Sequence, residues 1–462
     1  MDAFCILQDA TPEERSKQID NMDSIYANAY FTIVAADSAS AHQGIHGVSI
    51  IRTPSECFSF YLDTMSSVEI SYASLGISSA EVLADSTKWA TRGWTYQEAL
   101  LSRRLLVFTE ELCFLICPGG VSGCEGMIPK QNIHELARFR DQNRLHFLQQ
   151  DSPDFKSPTA LYEMISAFST RDLTMPDDIV KAFSGAMTAM KEQHGEMRYG
   201  MPLRDLNFAL SWKHHDLDLK STASMRSMFG TIVQYPSGQR EGFPTWSWAG
   251  WLHDGTKVQF PEHKLTAKAA IHYISDSGNL ETISGSSELN ESSEGKLSVI
   301  FESLSYPLTD DEKQDTWNIL ADFDLPLDSL LIFKTLVLRI CISHTPTEIS
   351  GDWGIYVHNF EKGKQPVQNK ASPIDDPYRS IIHVSRNWMD SQGDELEFAV
   401  LGADTSDPKM LHLQTIVIDR SGSLCYRIGA TDLRFKVAEE SSTAETLARI
   451  VRENTVEIVI LG

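Results

Sequence analysis

Apolar residues near the start of the chain come first as an unbroken run and then at helical spacing. Residues 4–7, "FCIL", read as a short buried strand. Thr11-Pro12-Glu13-Glu14 follows as a helix start, with Thr11 as cap, Pro12 at the first helical position and Glu14 closing a capping box. Ile19, Met22, Ile25, Tyr26 and Ala29 then fall three and four apart, the stripe of one amphipathic helix over 12–28. The run "YFTIVAA" (30–36) is β-branched and aromatic and reads as a second buried strand. Strand, helix and strand with short connections predict a parallel pairing of 4–7 with 31–36, crossed over in the right-handed sense. A polar, glycine-bearing loop runs from Asp37 to about Pro54, with weak strand signals near 57–62 and 67–73. "RGWTYQEALLS" (92–102) reads as a loop entering a helix, and "LLVFT" and "ELCFLIC" as two strands. "PGGVSGCEG" (118–126) reads as a loop and a domain edge.

Helical spacing dominates from about 130 to 215. "NIHELARFRDQNRLHFLQQ" places Ile133, Leu136, Phe139 and Leu145 on a helix, "ALYEMISAFSTR" reads as another, and "LTMPDDIVKAFSGAMTAMK" opens at Thr174 or Met175 with acids in its first turn. From 253 onward β-branched or alternating runs recur, among them "SLLIFKTLVLRICIS", "HLQTIVID" and "VEIVILG". They predict an antiparallel β-rich region, interrupted by a helix "TAETLARIVRE" that opens with Ser442 and Glu445 as a capping box. The Ser-, Gly- and Glu-rich stretch 275–296 reads as a mobile loop. The expected organisation is therefore an α/β domain at 1–126, a helical region at 127–252 and a β-rich region at 253–462.

A chain of 462 residues, 42% of them hydrophobic, is long enough for two or three cores. Its formal net charge of -23 repels phosphate backbones and anionic headgroups, which argues against nucleic acid as a partner. No apolar run spans a bilayer, and "MDAFCILQDA" lacks the basic region of a secretory signal. Seven scattered cysteines read as reduced thiols of a cytosolic or nuclear protein, and the cytoplasm is the expected location. Cys113, Cys117 and Cys124 have no zinc spacing and read as buried structural thiols, and His214-His215 shows no ligand pattern, so no metal is expected. No phosphate-binding glycine loop is present. Trp246, Trp248 and Trp251 in "TWSWAGW" read as an interdomain core cluster in preference to a binding platform.

Three separated motifs resemble the fungal heterokaryon-incompatibility (HET) domain. They are "DAFCILQD" with Asp2, Cys5, Ile6 and Gln8; the helix bearing Met22, Ile25, Tyr26 and Ala29; and Arg92, Trp94, Thr95, Gln97 and Glu98 in "RGWTYQEALL". The segments 168–185 and 243–251 are similar to stretches that often follow this domain. The resemblance implies a flavodoxin-like fold distantly related to Toll/interleukin-receptor (TIR) domains. It also implies a role in self/non-self recognition, in which fusion of unlike fungal cells triggers cell death, and protein partners or self-association through the domain. Complete HET domains carry a further segment ahead of the first motif, so the chain is expected to lack the first strand of the sheet. Some TIR domains cleave NAD with a glutamate four residues after a tryptophan, the spacing of Trp94 and Glu98. A carboxylate there can stabilise the oxocarbenium-like ribose left when nicotinamide departs. The rival expectations are thus an NAD glycohydrolase with Glu98 as catalytic group, turning over slowly or not at all without the first strand, or an inactive truncated paralogue. No cofactor is implied; NAD enters only as a candidate substrate.

The candidate ligand-binding residues are Arg92, Trp94, Gln8 and Asp9. Arg92 carries the planar fork that suits a phosphate, or it pairs with an acid such as Asp85. Gln8 and Asp9 follow the first strand, where ligand loops begin in open α/β sheets, and they also read as a plain turn. Thr95 and Glu98 stand at capping-box spacing, which supplies a purely structural account of Glu98.

Overall fold

The computed structural model describes residues 11–38, 40, 42–51, 58–61, 67–70, 87–110, 113–117, 120–123, 157–216, 238–252, 256–261, 265, 267–283, 308–321, 323, 325–341, 354–357, 380–383, 395–437 and 441–462. The chain divides into two compact units, Met1–Gln193 and His194–Gly462.

The first unit holds helices α1 (Pro12–Asp20), α2 (Met22–Asn28), α3 (Lys88–Thr91), α4 (Trp94–Leu101), α5 (Ala160–Phe168) and α6 (Ile179–His194). Its strands are β1 (Thr32–Ala35), β2 (Phe58–Tyr61), β3 (Ser67–Ile70), β4 (Leu105–Phe108), β5 (Cys113–Cys117) and β6 (Gly120–Gly123). Thr11 and Glu14 form the expected capping box at α1. The single helix expected over 12–28 is two helices. Asn21 sits at the junction with ψ near 2°, and its side-chain amide donates to the Lys17 carbonyl at 2.7 Å. An asparagine that bonds its own helix backbone offers the chain an exit from the helical ladder.

β1 pairs with β4 in parallel, Thr32 opposite Leu105 and Ala35 opposite Phe108. β4–β5 and β5–β6 are antiparallel, so the described sheet, in order β1-β4-β5-β6, is mixed. β6 occupies part of 118–126, where a loop was expected: Gly120–Gly123 pairs back on β5 through a short connection. The expected strand at 4–7, its pairing with 31–36 and the helix at 133–145 lie outside the described residues. One face of the sheet is core, with Val34, Leu105, Val107, Phe114 and Ile116 all buried. β1 is not buried on both faces as expected: Ile33 is 47% exposed and Phe31, just before the strand, 44%. Alternation along a strand puts Ile33 on the opposite face from Val34.

The second unit has β7 (Met197–Arg198) and β8 (Met201–Pro202), α7 (Leu206–Ala209), β9 (Lys213–Asp216), β10 (Thr256–Gln259), β11 (Ala267–Lys268), β12 (Ile271–Ile274), β13 (Leu280–Ile283) and α8 (Asp310–Leu320). There follow β14 (Leu331–Cys341), β15 (Gly354–Val357), β16 (Ser380–His383), β17 (Glu395–Asp404), β18 (Met410–Ser421), β19 (Leu424–Lys436), α9 (Thr443–Glu453) and β20 (Thr455–Leu461). Its eight-stranded sheet runs β11-β17-β18-β19-β20-β14-β12-β13, and β14 also pairs with β17. Strands β17, β18, β19, β20 and β14 therefore close into a ring. The pairings are antiparallel except β19–β20, which α9 connects as a parallel crossover. α9 opens with the expected Ser442–Glu445 capping box. Its Leu447 and Ile450 join a core cluster with Leu338, Phe398, Leu413 and Val417. A square of charges straddles the strands: Arg339 and Arg420 each bond both Glu397 and Glu457.

The stretch expected as a mobile loop begins instead as a hairpin. β12 and β13 pair antiparallel around Gly278, which takes φ +78°, and only 284–296 of that stretch lies outside the described residues. The tryptophans of "TWSWAGW" are core of this unit. Trp246 donates its indole N–H to the Ser329 carbonyl (2.8 Å), Trp248 to Gly200 (2.9 Å) and Trp251 to Thr245 (2.8 Å). Gly250 permits the tight turn among them: a Cβ there would meet the Pro244 carbonyl at 2.4 Å.

His272, on β12, is fully buried. The Leu308 N–H donates to its Nε2 (3.3 Å), so the ring proton sits on Nδ1 and faces Thr282 Oγ1 at 2.9 Å. Burial, with the Lys313 charge as a lesser cause, holds its pKa down at about 4. The unfolded chain takes up this proton below about pH 6.5 while the folded chain does not until about pH 4. Stability contributed here is complete above pH 6.5, falls through that window and is lost below it, about 3 kcal/mol in all. Urea melts at pH 7 and 4.5 should show wild type losing more stability than His272→Gln. Equal losses would mean that His272 is not held neutral in the folded state.

Candidate functional site around Trp94–Glu98

Thr87 caps α3 by accepting the Ala90 N–H at 3.1 Å, and Trp89 N–H donates to the Ala36 carbonyl at 3.3 Å. These bonds hang α3, and α4 behind it, at the carboxyl end of β1, the end where α/β sheets bind ligands. α4 then leads directly into β4.

The capping box expected between Thr95 and Glu98 does not form. The N-cap position is Gly93, without a side-chain cap, so Thr95 is the second helical residue and Glu98 the fifth, too far along to reach back. Thr95 is nevertheless buried and structural. Its Oγ1 lies 2.8 Å from the Arg92 carbonyl and 2.5 Å from that of Trp89. Thr95→Val, of the same shape, should therefore cost about 1–2 kcal/mol by removing the hydroxyl from these carbonyls and from the Arg171 guanidinium, with Thr95→Ser recovering most of it. Denaturant melts of the two variants decide this. Equal stability for valine and wild type would make these bonds inconsequential.

The second and third sequence motifs meet. Gln97, 1% exposed, donates from Nε2 to the Met22 sulfur at 3.8 Å, joining α4 to α2. Its Oε1 makes no hydrogen bond among the described residues. On the other side α6 comes close because residue 185 is glycine, where a Cβ would lie 2.7 Å from Leu101 and 3.0 Å from Gln97 Oε1. Tyr96 packs against Phe168 and Phe183 with ring centroids 5.5 and 6.2 Å away.

Glu98 is half-buried on α4, and its carbonyl accepts the Ser102 hydroxyl at 2.6 Å; Ser102 in turn meets Thr32 Oγ1 at 2.6 Å. Trp94 is half-buried and Arg92 exposed. Arg92, Trp94 and Glu98 thus stand on one short stretch of backbone. Gln8, Asp9 and Asp85 lie outside the described residues.

Sequence reading passed over Arg171 and Asp172. Gly93 N–H donates to the Asp172 carbonyl at 2.7 Å and Asp172 N–H to the Thr91 carbonyl at 2.6 Å, a parallel bridge across Arg92. A Cβ on Gly93 would lie 2.5 Å from the Leu173 side chain, so glycine admits the bridge. The Arg171 guanidinium lies 4.8 Å from the Tyr96 ring centre, and its Nη1 donates to the Arg92 carbonyl (3.2 Å) and Thr95 Oγ1 (3.3 Å). Burial lowers its pKa to about 10, with Tyr96 and Glu98 acting in the opposite direction. The one signal in the sequence was the similarity of 168–185 to a stretch that follows HET domains.

Residues 1–98 match the family model of the heterokaryon incompatibility protein (HET). No curated protein and no solved structure matches the chain. The HET match ends at Glu98, inside α4, whereas the packing around that helix continues through α5, Arg171 and α6. Among the described residues no helix is long and apolar enough to cross a membrane.

Proposed function

We propose that the chain acts in heterokaryon incompatibility, promoting cell death after fusion of unlike fungal cells. The match of residues 1–98 to the HET family carries this reading. The meeting of Met22 and Gln97 on adjoining helices supports it, since residues of two family motifs come together there. In this proposal residues 1–126 form a TIR-like effector domain, 127–252 a helical region, and 253–462 a regulatory or partner-binding region. The effector works in the cytoplasm through protein partners or self-association. Regulated expression of the full chain in a fungal host tests the reading. Growth arrest and uptake of a dye excluded by living cells is the expected outcome, and unimpaired growth at high protein level contradicts it.

A second reading is NAD glycohydrolysis. The half-buried Glu98, four residues after Trp94 on the same helix, supports it. An ionised carboxylate can stabilise an oxocarbenium-like ribose. Release of nicotinamide from NAD by purified chain separates this reading from death signalling without turnover.

A further inference from the structure

We propose that the outer edge of β1 is a self-association surface, on which the β1 of a second copy of this chain pairs antiparallel across a two-fold axis. The inference makes specific the self-association put forward above and rests on that part of the reading.

β1 is the end strand of its described sheet. The N–H groups of Thr32 and Ala36 donate to the Arg104 and Phe108 carbonyls at 2.8 and 2.9 Å, so alternate residues turn their backbone groups toward β4. The N–H and C=O of Ile33 and Ala35 point the other way, and among the described residues nothing pairs with them. Native edge strands are commonly guarded by charge, proline or a bulge. The run from Ala29 to Ala36 holds no charged residue and no proline, and its register with β4 is unbroken.

The side chains agree with the backbone. Phe31 and Ile33 are 44% and 47% exposed, and Tyr30, whose ring meets that of Phe31 edge-on at 6.1 Å, is 76% exposed. Together they offer roughly 350 Å² of apolar surface, most of the apolar part of a standard half-interface of about 800 Å². Inward from Ile33 the same face of the sheet continues through half-buried Leu106, Phe108 and Leu115. A chain of net charge -23 repels its own copies, so two copies meet best where charge is absent or matched. β1 supplies both conditions. Arg104 lies 4.8 Å from the Tyr30 ring centre and donates to the Tyr30 carbonyl at 3.2 Å, which puts a cation at the start of the strand. Asp37, whose carboxylate accepts the Glu110 N–H at 2.7 Å, stands just past its end. Antiparallel pairing sets the start of one β1 beside the end of the other, so Arg104 faces Asp37 twice across the axis. Parallel pairing would set like charges side by side. The strand's edge is thus complementary to itself, which selects a second copy as its occupant.

Sedimentation equilibrium of the full chain, taken up to about 100 µM, tests this. Wild type should be a dimer, and Ile33→Lys should weaken dimerisation about a hundredfold with an unchanged thermal melt, since Ile33 is exposed. Amide hydrogen exchange of wild type supplies a second reading that needs no variant. On dilution the amides of Ile33 and Ala35 should lose protection, while those of Thr32 and Ala36, bonded to β4, should keep it. A wild type that stays monomeric overturns the proposal, also where residues 4–7 cover the edge. A dimer whose Ile33 and Ala35 amides exchange alike at all concentrations overturns it equally. Neither measurement reads cell death, so failure of the HET reading and failure of this inference give different results.

Discussion

Arg427→Ala should destabilise the second unit by about 3–5 kcal/mol, read from urea unfolding. Arg427 is 2% exposed on β19, an arginine where a barrel strand would ordinarily carry an aliphatic residue. Its guanidinium lies 3.8 Å from the Trp212 ring centre, and it donates to the Leu210 carbonyl (3.3 Å) and to that of Trp212. Its own N–H bonds Thr245 Oγ1 at 2.9 Å, and the Thr245 N–H reaches the Gly462 carbonyl at 3.1 Å. The side chain thus ties the turn after α7 to the ring of strands. Truncation leaves a cavity beside Trp212 and deprives two buried carbonyls of a donor, and both costs act together. Arg427→Lys should recover less than half of the loss, because an ammonium group cannot stack and reach both carbonyls at once. A loss below about 1 kcal/mol for the alanine variant would show that the guanidinium does not hold these elements together.

The same residue shows why β19 escapes a sequence reading. Of the thirteen positions Leu424–Lys436, Arg427, Gly429, Asp432 and Arg434 break any apolar alternation. The register also shifts opposite Val417 and Ile418, so a two-residue period does not persist along the strand. What hides Arg427 is stacking on Trp212, more than two hundred residues earlier, and no local window contains that. β14, β18 and β20 were legible because each carries an unbroken β-branched or aliphatic run: Leu336–Leu338, Thr415–Ile418 and Ile458–Leu461. Helix starts were legible where the cap is local: Thr11 with Glu14, and Ser442 with Glu445. Thr95 with Glu98 has the same spacing but fails as a cap, because Gly93 begins the helix earlier and the bridge to Asp172 fixes that start. Arg171 was illegible for a related reason: its partners lie more than seventy residues upstream.

Glu98→Gln tests the claim that the stretch from Arg92 to Glu98 is a functional site. Glu98 is half-buried, caps nothing and sits inside α4, where glutamine is as good a helix former. Losing its charge at this half-buried position should cost under about 1 kcal/mol of stability. Losing its charge removes whatever the carboxylate does to a ligand or a reacting ribose, an effect of roughly a hundredfold or more where such groups act on charge. The decisive measurement is dye uptake by fungal cells expressing wild type or Glu98→Gln at matched levels of folded protein. Death in the wild type and survival in the variant is the predicted result. Equal killing by both would mean that Glu98 is an ordinary helix residue and that the function lies elsewhere in the chain.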